Sequence, residues 1–172
     1  MNETIGLTPV YPAKIIPVHL NDSGAVIVRQ RSYMCGVGDV NISVSLDCCT
    51  MTSLCSGMGS IRQKISGSGV AFLQAGGTVL EKTLKPGEMI IVDQESLVGW
   101  SETVTLGVRS FAGMCGCCSI IYGGEGCCMA TLTGGAEPGK IYITSMNYSK
   151  WHRVLNPGIT GSGQKEQHEA PE

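Results

Sequence analysis

Nine cysteines stand at positions 35, 48, 49, 55, 115, 117, 118, 127 and 128. Cys115-Gly116-Cys117-Cys118 with Cys127-Cys128 is the densest group, and thiolates gathered in this way can hold zinc. Zinc hooks space their ligands about two to four residues apart, commonly with His nearby. Here several are adjacent, and neighbours on a strand point to opposite faces. The pattern therefore predicts no bound metal, and thiols that act as small buried or loop residues. Their number is odd, and residues 1–20 show no basic stretch leading into an apolar run and a cleavage site. Reduced thiols in an intracellular protein are the expectation.

The three histidines, His19, His152 and His168, fall in a segment before the first expected strand, in a C-terminal segment and in the tail. A metal-dependent β-barrel enzyme needs His and Glu converging from neighbouring strands, and no His-x-His occurs. Residues 67–69 give Gly-Ser-Gly without the longer elbow that presents a nucleophilic serine. Gly123-Gly124-Glu125-Gly126 is the weak binding candidate, because a carboxylate in a Gly-rich turn can hold a cation or an amine. A phosphate loop would add a following helix and a Lys, which this segment lacks. A tight turn with close backbone approach is the plainer reading. The sequence thus predicts no catalytic residue, no metal and no cofactor, and a protein that is not an enzyme.

Nucleic-acid binding calls for cations with interleaved aromatics. Tyr148-Ser149-Lys150-Trp151-His152-Arg153 is such a cluster, and its plainer reading is a C-terminal segment packing Trp151 onto the fold. The formal charge of −2 gives no general pull toward nucleic acid or anionic lipid. No apolar run reaches the roughly 20 residues that a membrane-crossing helix needs.

The elements that must position these residues are short strands. Val40, Ile42, Val44 and Leu46 alternate with Asn41, Ser43 and Ser45, a period of two. Ala25–Val28, Val70–Gln74, Glu88–Asp93, Val104–Val108, Met129–Thr133 and Lys140–Thr144 are apolar runs bounded by turn residues. Pro86-Gly87 and Asn21-Asp22-Ser23-Gly24 mark turns. Tyr148–Leu155 is the one place for a short helix. Pro157–Glu172 is expected to be a disordered tail, since it lacks an apolar pattern.

A repeat runs through the chain. Gly57-Met58-Gly59 and Ile65-Ser66-Gly67 return as Gly124-Glu125-Gly126 and Leu132-Thr133-Gly134, both at an offset of 67. Gly69–Leu73 returns as Gly139–Ile143 at an offset of 70. Residues 14–82 and 83–146 therefore read as two copies of one β unit, whose apolar faces can close into a sandwich or flattened barrel.

Several stretches resemble the AIM24 (altered inheritance of mitochondria 24) family. Leu73-Gln74-Ala75-Gly76-Gly77-Thr78-Val79-Leu80-Glu81-Lys82 is similar to its segment through Gly-Gly-Thr into a strand. Leu84–Glu88, Asp93 and Leu97–Trp100 resemble the turn and strand that follow. Tyr122–Gly126 with Ala130–Gly134 is similar to its most recognisable signature. The likeness runs from about Ala13 to Leu155. Met1 falls partway into the family's usual length, Met58 stands where Glu is common, and Cys127 and Cys128 replace aliphatic or aromatic residues.

The resemblance implies an all-β sandwich or pseudo-barrel like that of the tryptophan RNA-binding attenuation protein. The expected layout is an N-terminal segment (1–12), one β domain (13–155) and a tail (156–172). It further implies a homo-oligomer, with a trimer as the expected state, and a structural or assembly role linked to mitochondrial inner-membrane organisation. RNA binding by analogy with the attenuation protein, and a cytoplasmic setting, are the alternatives.

Overall fold

The expected short strands form and join into two curled sheets, an all-β half-barrel. The computed structural model describes residues 4–46, 61–110 and 128–156. In chain order the elements are β1 (Ala13–His19), α1 (Leu20–Ser23), β2 (Val26–Arg29), β3 (Tyr33–Val37), β4 (Val40–Leu46), β5 (Ile61–Gly67) and β6 (Val70–Leu84). Then follow β7 (Met89–Val92), a 3-10 turn at Gln94–Ser96, β8 (Leu97–Ser101), β9 (Val104–Ser110), β10 (Cys128–Gly134), β11 (Gly139–Met146) and α2 (Tyr148–Leu155). α2 falls on the residues expected for a helix, whereas the single helical turn α1 lies where the sequence reads as the Asn21–Gly24 turn.

The larger sheet runs β1-β6-β11-β8-β2-β5-β4, with β3 also on β6, and the smaller runs β7-β10-β9. All described pairings are antiparallel. β6 has 15 residues, three times the length of the Val70–Gln74 run read from sequence. Its first half pairs with β1 and β3, and its second half with β11. The strand bends between them at Gly76-Gly77, where Gly77 has φ +65 and Ser145 Oγ accepts from the Thr78 N–H at 2.9 Å. Opposite the bend, the register on β11 shifts between Thr144 and Met146. A β-bulge facing a Gly pair turns a strand without ending its ladder.

Segment 13–19, read from sequence as lying before the first strand, is strand β1, so His19 ends a strand. Pro17 disguised it, because proline argues against a central strand. β1 is an edge strand, where a missing N–H is tolerated.

The two halves correspond ladder by ladder. Residues of β1–β4 shifted by 64, of β5 by 67 and of the first half of β6 by 70 give the second set of pairings. Val40↔Gly67 becomes Val104↔Gly134, and Val26↔Ile65 becomes Ile90↔Leu132. His19↔Val70 becomes Thr83↔Lys140, and Gly36↔Ala71 becomes Trp100↔Ile141. Even the irregularity after Tyr33 recurs after Leu97, and Tyr33↔Leu73 becomes Leu97↔Ile143. β1 corresponds to the second half of β6, so the joint between the copies lies at Gly76-Gly77, before the 82/83 boundary read from sequence.

Two apolar cores result. The first gathers Ile16, Val18, Val26, Val28, Ile65, Leu73, Val98 and Tyr142, among others. The second gathers Leu84, Leu97, Trp100, Val104, Leu132 and Ile141. β8 separates them and is buried at all five positions, sending Val98 to one core and Leu97 and Trp100 to the other. A strand covered on both faces does not alternate, which explains its weak strand signal.

Candidate functional site

Among the described residues, polar and aromatic side chains gather where α2 docks on the sheets. Asn147 caps the helix, its Oδ1 accepting from the Lys150 N–H at 2.7 Å. Its amide Nδ2 donates to the Glu95 carbonyl, tying the cap to the 3-10 turn. Lys150 Nζ then reaches Asp93 Oδ2 at 2.5 Å and Ser96 Oγ at 3.2 Å. Asp93 also accepts from the Glu95 N–H and the Ser96 hydroxyl, each at 3.1 Å. Arg29 Nη1 donates from β2 to the carbonyls of Gln94 and Glu95, each at 3.1 Å.

Aromatic rings close the other side. The Tyr11 ring stands edge-on to Tyr148 at 5.9 Å and lies 6.3 Å from Trp151. Tyr148 is 6.1 Å from Trp151 and 6.0 Å from His152. Arg31 places its guanidinium carbon 5.0 Å from the centre of the Tyr148 ring, within the range of a cation–π contact. Arg31 has φ 69, and its carbonyl accepts from Gln74 Nε2 at 2.6 Å. Gln74 Oε1 in turn accepts from the Val10 N–H at 3.4 Å. The N-terminal segment, the β2–β3 turn, β6 and α2 thus meet around Tyr11 and Gln74.

Burial drives the Tyr11 hydroxyl above its ordinary pKa, against the Gly76 backbone and the charge of Arg29. Burial acts on Asp93 in the same sense, yet the bonds from Lys150, the Glu95 N–H and Ser96 outweigh it and hold the carboxyl below its ordinary value. Such a group contributes stability at neutral pH that is lost as pH falls through its folded-state pKa. Trp151 is half-buried in the folded protein, and as the helix undocks in acid its emission should therefore shift to the red before the sheets unfold. In Asp93→Asn that shift should be present already at pH 7, with a loss of up to about 1 kcal/mol in helix docking. Identical emission in both proteins across the titration would rule out the Asp93 clamp.

This arrangement fits the plainer reading of the Tyr148–Arg153 cluster: its aromatics pack the segment onto the fold, and Lys150 is engaged by Asp93. Gly123, Gly124, Glu125 and Gly126 lie outside the described residues, as do Cys48, Cys49, Cys55, Cys115, Cys117, Cys118, Cys127 and His168. Cys35 is a free, half-buried thiol on β3. His19 and His152 are both exposed, on β1 and α2, and the His152 ring lies 3.3 Å from the Asn156 amide. Among the described residues no three His, Cys, Asp or Glu side chains gather closely enough to hold a metal. No described helix is long and apolar enough to cross a membrane.

The fold defines a duplicated all-β pseudo-barrel protein. The sequence matches the family described as "AIM24: Mitochondrial biogenesis AIM24" over residues 1–146, and the chain belongs to that family. A crystal structure of a Streptococcus pyogenes protein is similar, with a TM-score of 0.67 at 21% identity. The likeness covers 87% of this chain and 62% of that one, so this chain matches less than two thirds of the other protein's length. No curated protein sequence matches this chain.

Proposed function

We propose that this chain is a non-catalytic structural or assembly protein that acts through protein contacts as a homo-oligomer, with a trimer as its state. The observation that carries the reading is the set of large apolar side chains left exposed on strands with an edge that has no partner among the described residues. Val37, Ile42 and Val44 on β3 and β4 are 64%, 48% and 63% exposed, and Met89 on β7 is 56% exposed. Uncovered apolar edges are places where proteins add strands from a partner. The family description, mitochondrial biogenesis, supports mitochondria as the setting, and organisation of the inner membrane is the process that the family resemblance implies.

Light scattering at high micromolar concentration is expected to give three chains per particle, and a single-chain mass would overturn the oligomer. Crosslinking with mass spectrometry in cells is expected to recover protein neighbours, inner-membrane proteins foremost. Ultraviolet crosslinking that recovered one specific RNA instead would favour the alternative role as an RNA-binding oligomer. The engagement of Lys150 by Asp93 and of Arg29 by backbone carbonyls supports the protein-contact reading over that alternative.

A further inference from the structure

One ladder of this duplicated fold has no counterpart among the described residues. β2 of the first half pairs with β8 of the second, Val26 opposite Ser101, Ile27 opposite Trp100 and Val28 opposite Gly99. The 64-residue relation carries β2 onto β7, and carries β3 onto β8. The equivalent ladder would therefore join β7 to β3, with Ile90 opposite Val37, Ile91 opposite Gly36 and Val92 opposite Cys35. Within the chain those strands do not meet. Among the described strands β7 bonds only to β10, and β3 only to β6.

Burial differs at two matched positions: Ser101 is 3% exposed and its counterpart Val37 64%, and Ile27 is half-buried while its counterpart Ile91 is 37% exposed. The cores show the same deficit. Ile27 and Leu106 both pack against the second core. Their counterparts are Ile91, which faces outward, and Ile42, which stays exposed although its strand neighbour Val40 packs against the first core. Where the second core holds Trp100, the first has Gly36. A Cβ there would lie 2.9 Å from both the Tyr33 hydroxyl and Val40 Cγ2, so this chain already fills that space. An arriving strand needs to supply only an aliphatic side chain of the size of Ile91.

We propose that β7 of one copy pairs antiparallel with β3 of the next, repeating between chains the β2–β8 ladder found within each. This inference rests on the homo-oligomer reading and specifies its interface. The occupant is a second copy of this chain because the docking strand, its register and its inward side chain all have a template in the molecule. The two surfaces differ, so the contact is head to tail, and it closes as a ring or grows as a filament. A ring of three leaves no β3 or β7 edge open.

The test uses Ile91→Lys and Val37→Lys in the full chain, both at exposed positions. Circular dichroism checks that each retains a β spectrum, and Ile91→Thr is a milder replacement that keeps strand preference. Light scattering is expected to give an oligomer for the parent chain and monomers for each Lys variant. Mixed in equal amounts, the two variants should form a particle of two chains, one of each, since the mixture leaves one intact β7 and one intact β3. Loss of assembly in one variant but not the other, or monomers in the mixture, would overturn the head-to-tail ladder. An oligomeric mass unchanged in both variants would reject this interface while leaving the oligomer standing. A monomeric parent chain would refute the oligomer itself.

Discussion

Replacing Trp100 with alanine is expected to be among the most damaging single changes in this chain, lowering stability by about 3–5 kcal/mol. Trp100 is 1% exposed on β8, within the core that holds Leu84, Leu97, Leu132 and Ile141. Its ring also faces the nearly buried Arg62 guanidinium, whose carbon lies 5.6 Å from the ring centre. Truncation opens a cavity between the two sheets and removes the surface on which that cation rests. For a chain of 172 residues the melting temperature should fall by roughly 6–20 °C. Trp100→Phe retains a ring in the same core and should lose less. The chain has two tryptophans, so Trp151→Phe provides a background in which emission reports Trp100 alone. A melting temperature within about 2 °C of the parent for Trp100→Ala would show that the sheets do not pack through this residue.

Gly67→Ala should come close to that loss without removing any buried side chain. Gly67 ends β5 at φ +126, a conformation that side-chain-bearing residues rarely adopt. A Cβ there would lie 2.3 Å from the Asp39 carbonyl oxygen and 3.0 Å from its carbon. That carbonyl accepts from the Ser68 and Gly69 N–H groups at 3.0 and 2.8 Å. It thereby ties the β3–β4 turn to the β5–β6 turn. Backbone strain of about 1–3 kcal/mol adds to two weakened hydrogen bonds of about 1 kcal/mol each. The sum is roughly 3–5 kcal/mol, read as a lower denaturant midpoint at unchanged slope. Ser68→Ala is the control: its exposed hydroxyl makes only a 3.4 Å contact with Asp39 Oδ2, and stability should stay within about 0.5 kcal/mol. Equal losses in the two variants would locate the effect in the turn's polar groups instead of the glycine.

The family and the strand-rich class were legible because both depend on local order along the chain. Turn residues, apolar alternation at Val40–Leu46 and the ordered set from Leu73 to Gly134 can be read without knowing any contact. Likewise Tyr148–Leu155 stood out as the single helical stretch. The elements that alternation misses are those whose burial depends on distant partners. β8 lost its pattern because sheets cover both of its faces, and β1 was hidden by Pro17, acceptable only because that strand lies at an edge. The weak candidate at Gly123–Gly126 and the dense cysteine group fall outside the described residues, apart from the Cys128 backbone in β10.

The sequence by itself determined the all-β class, the family and the existence of a repeat, since periodicity and motif order are properties of neighbours in the chain. Only the tertiary structure decided where that repeat divides. The joint is Gly76-Gly77, inside one strand that runs through it, because a bend there lets that strand serve both copies. It also decided that Lys150, which stands beside aromatics in sequence, is held by Asp93 from 57 residues away. And it decided which of two corresponding strands is covered: β2 has β8 beside it, while β7, at the matching place, has no partner on that edge among the described strands. Copies alike in sequence differ in this way because the cover of a strand edge depends on what the fold places beside it, not on the strand's own residues.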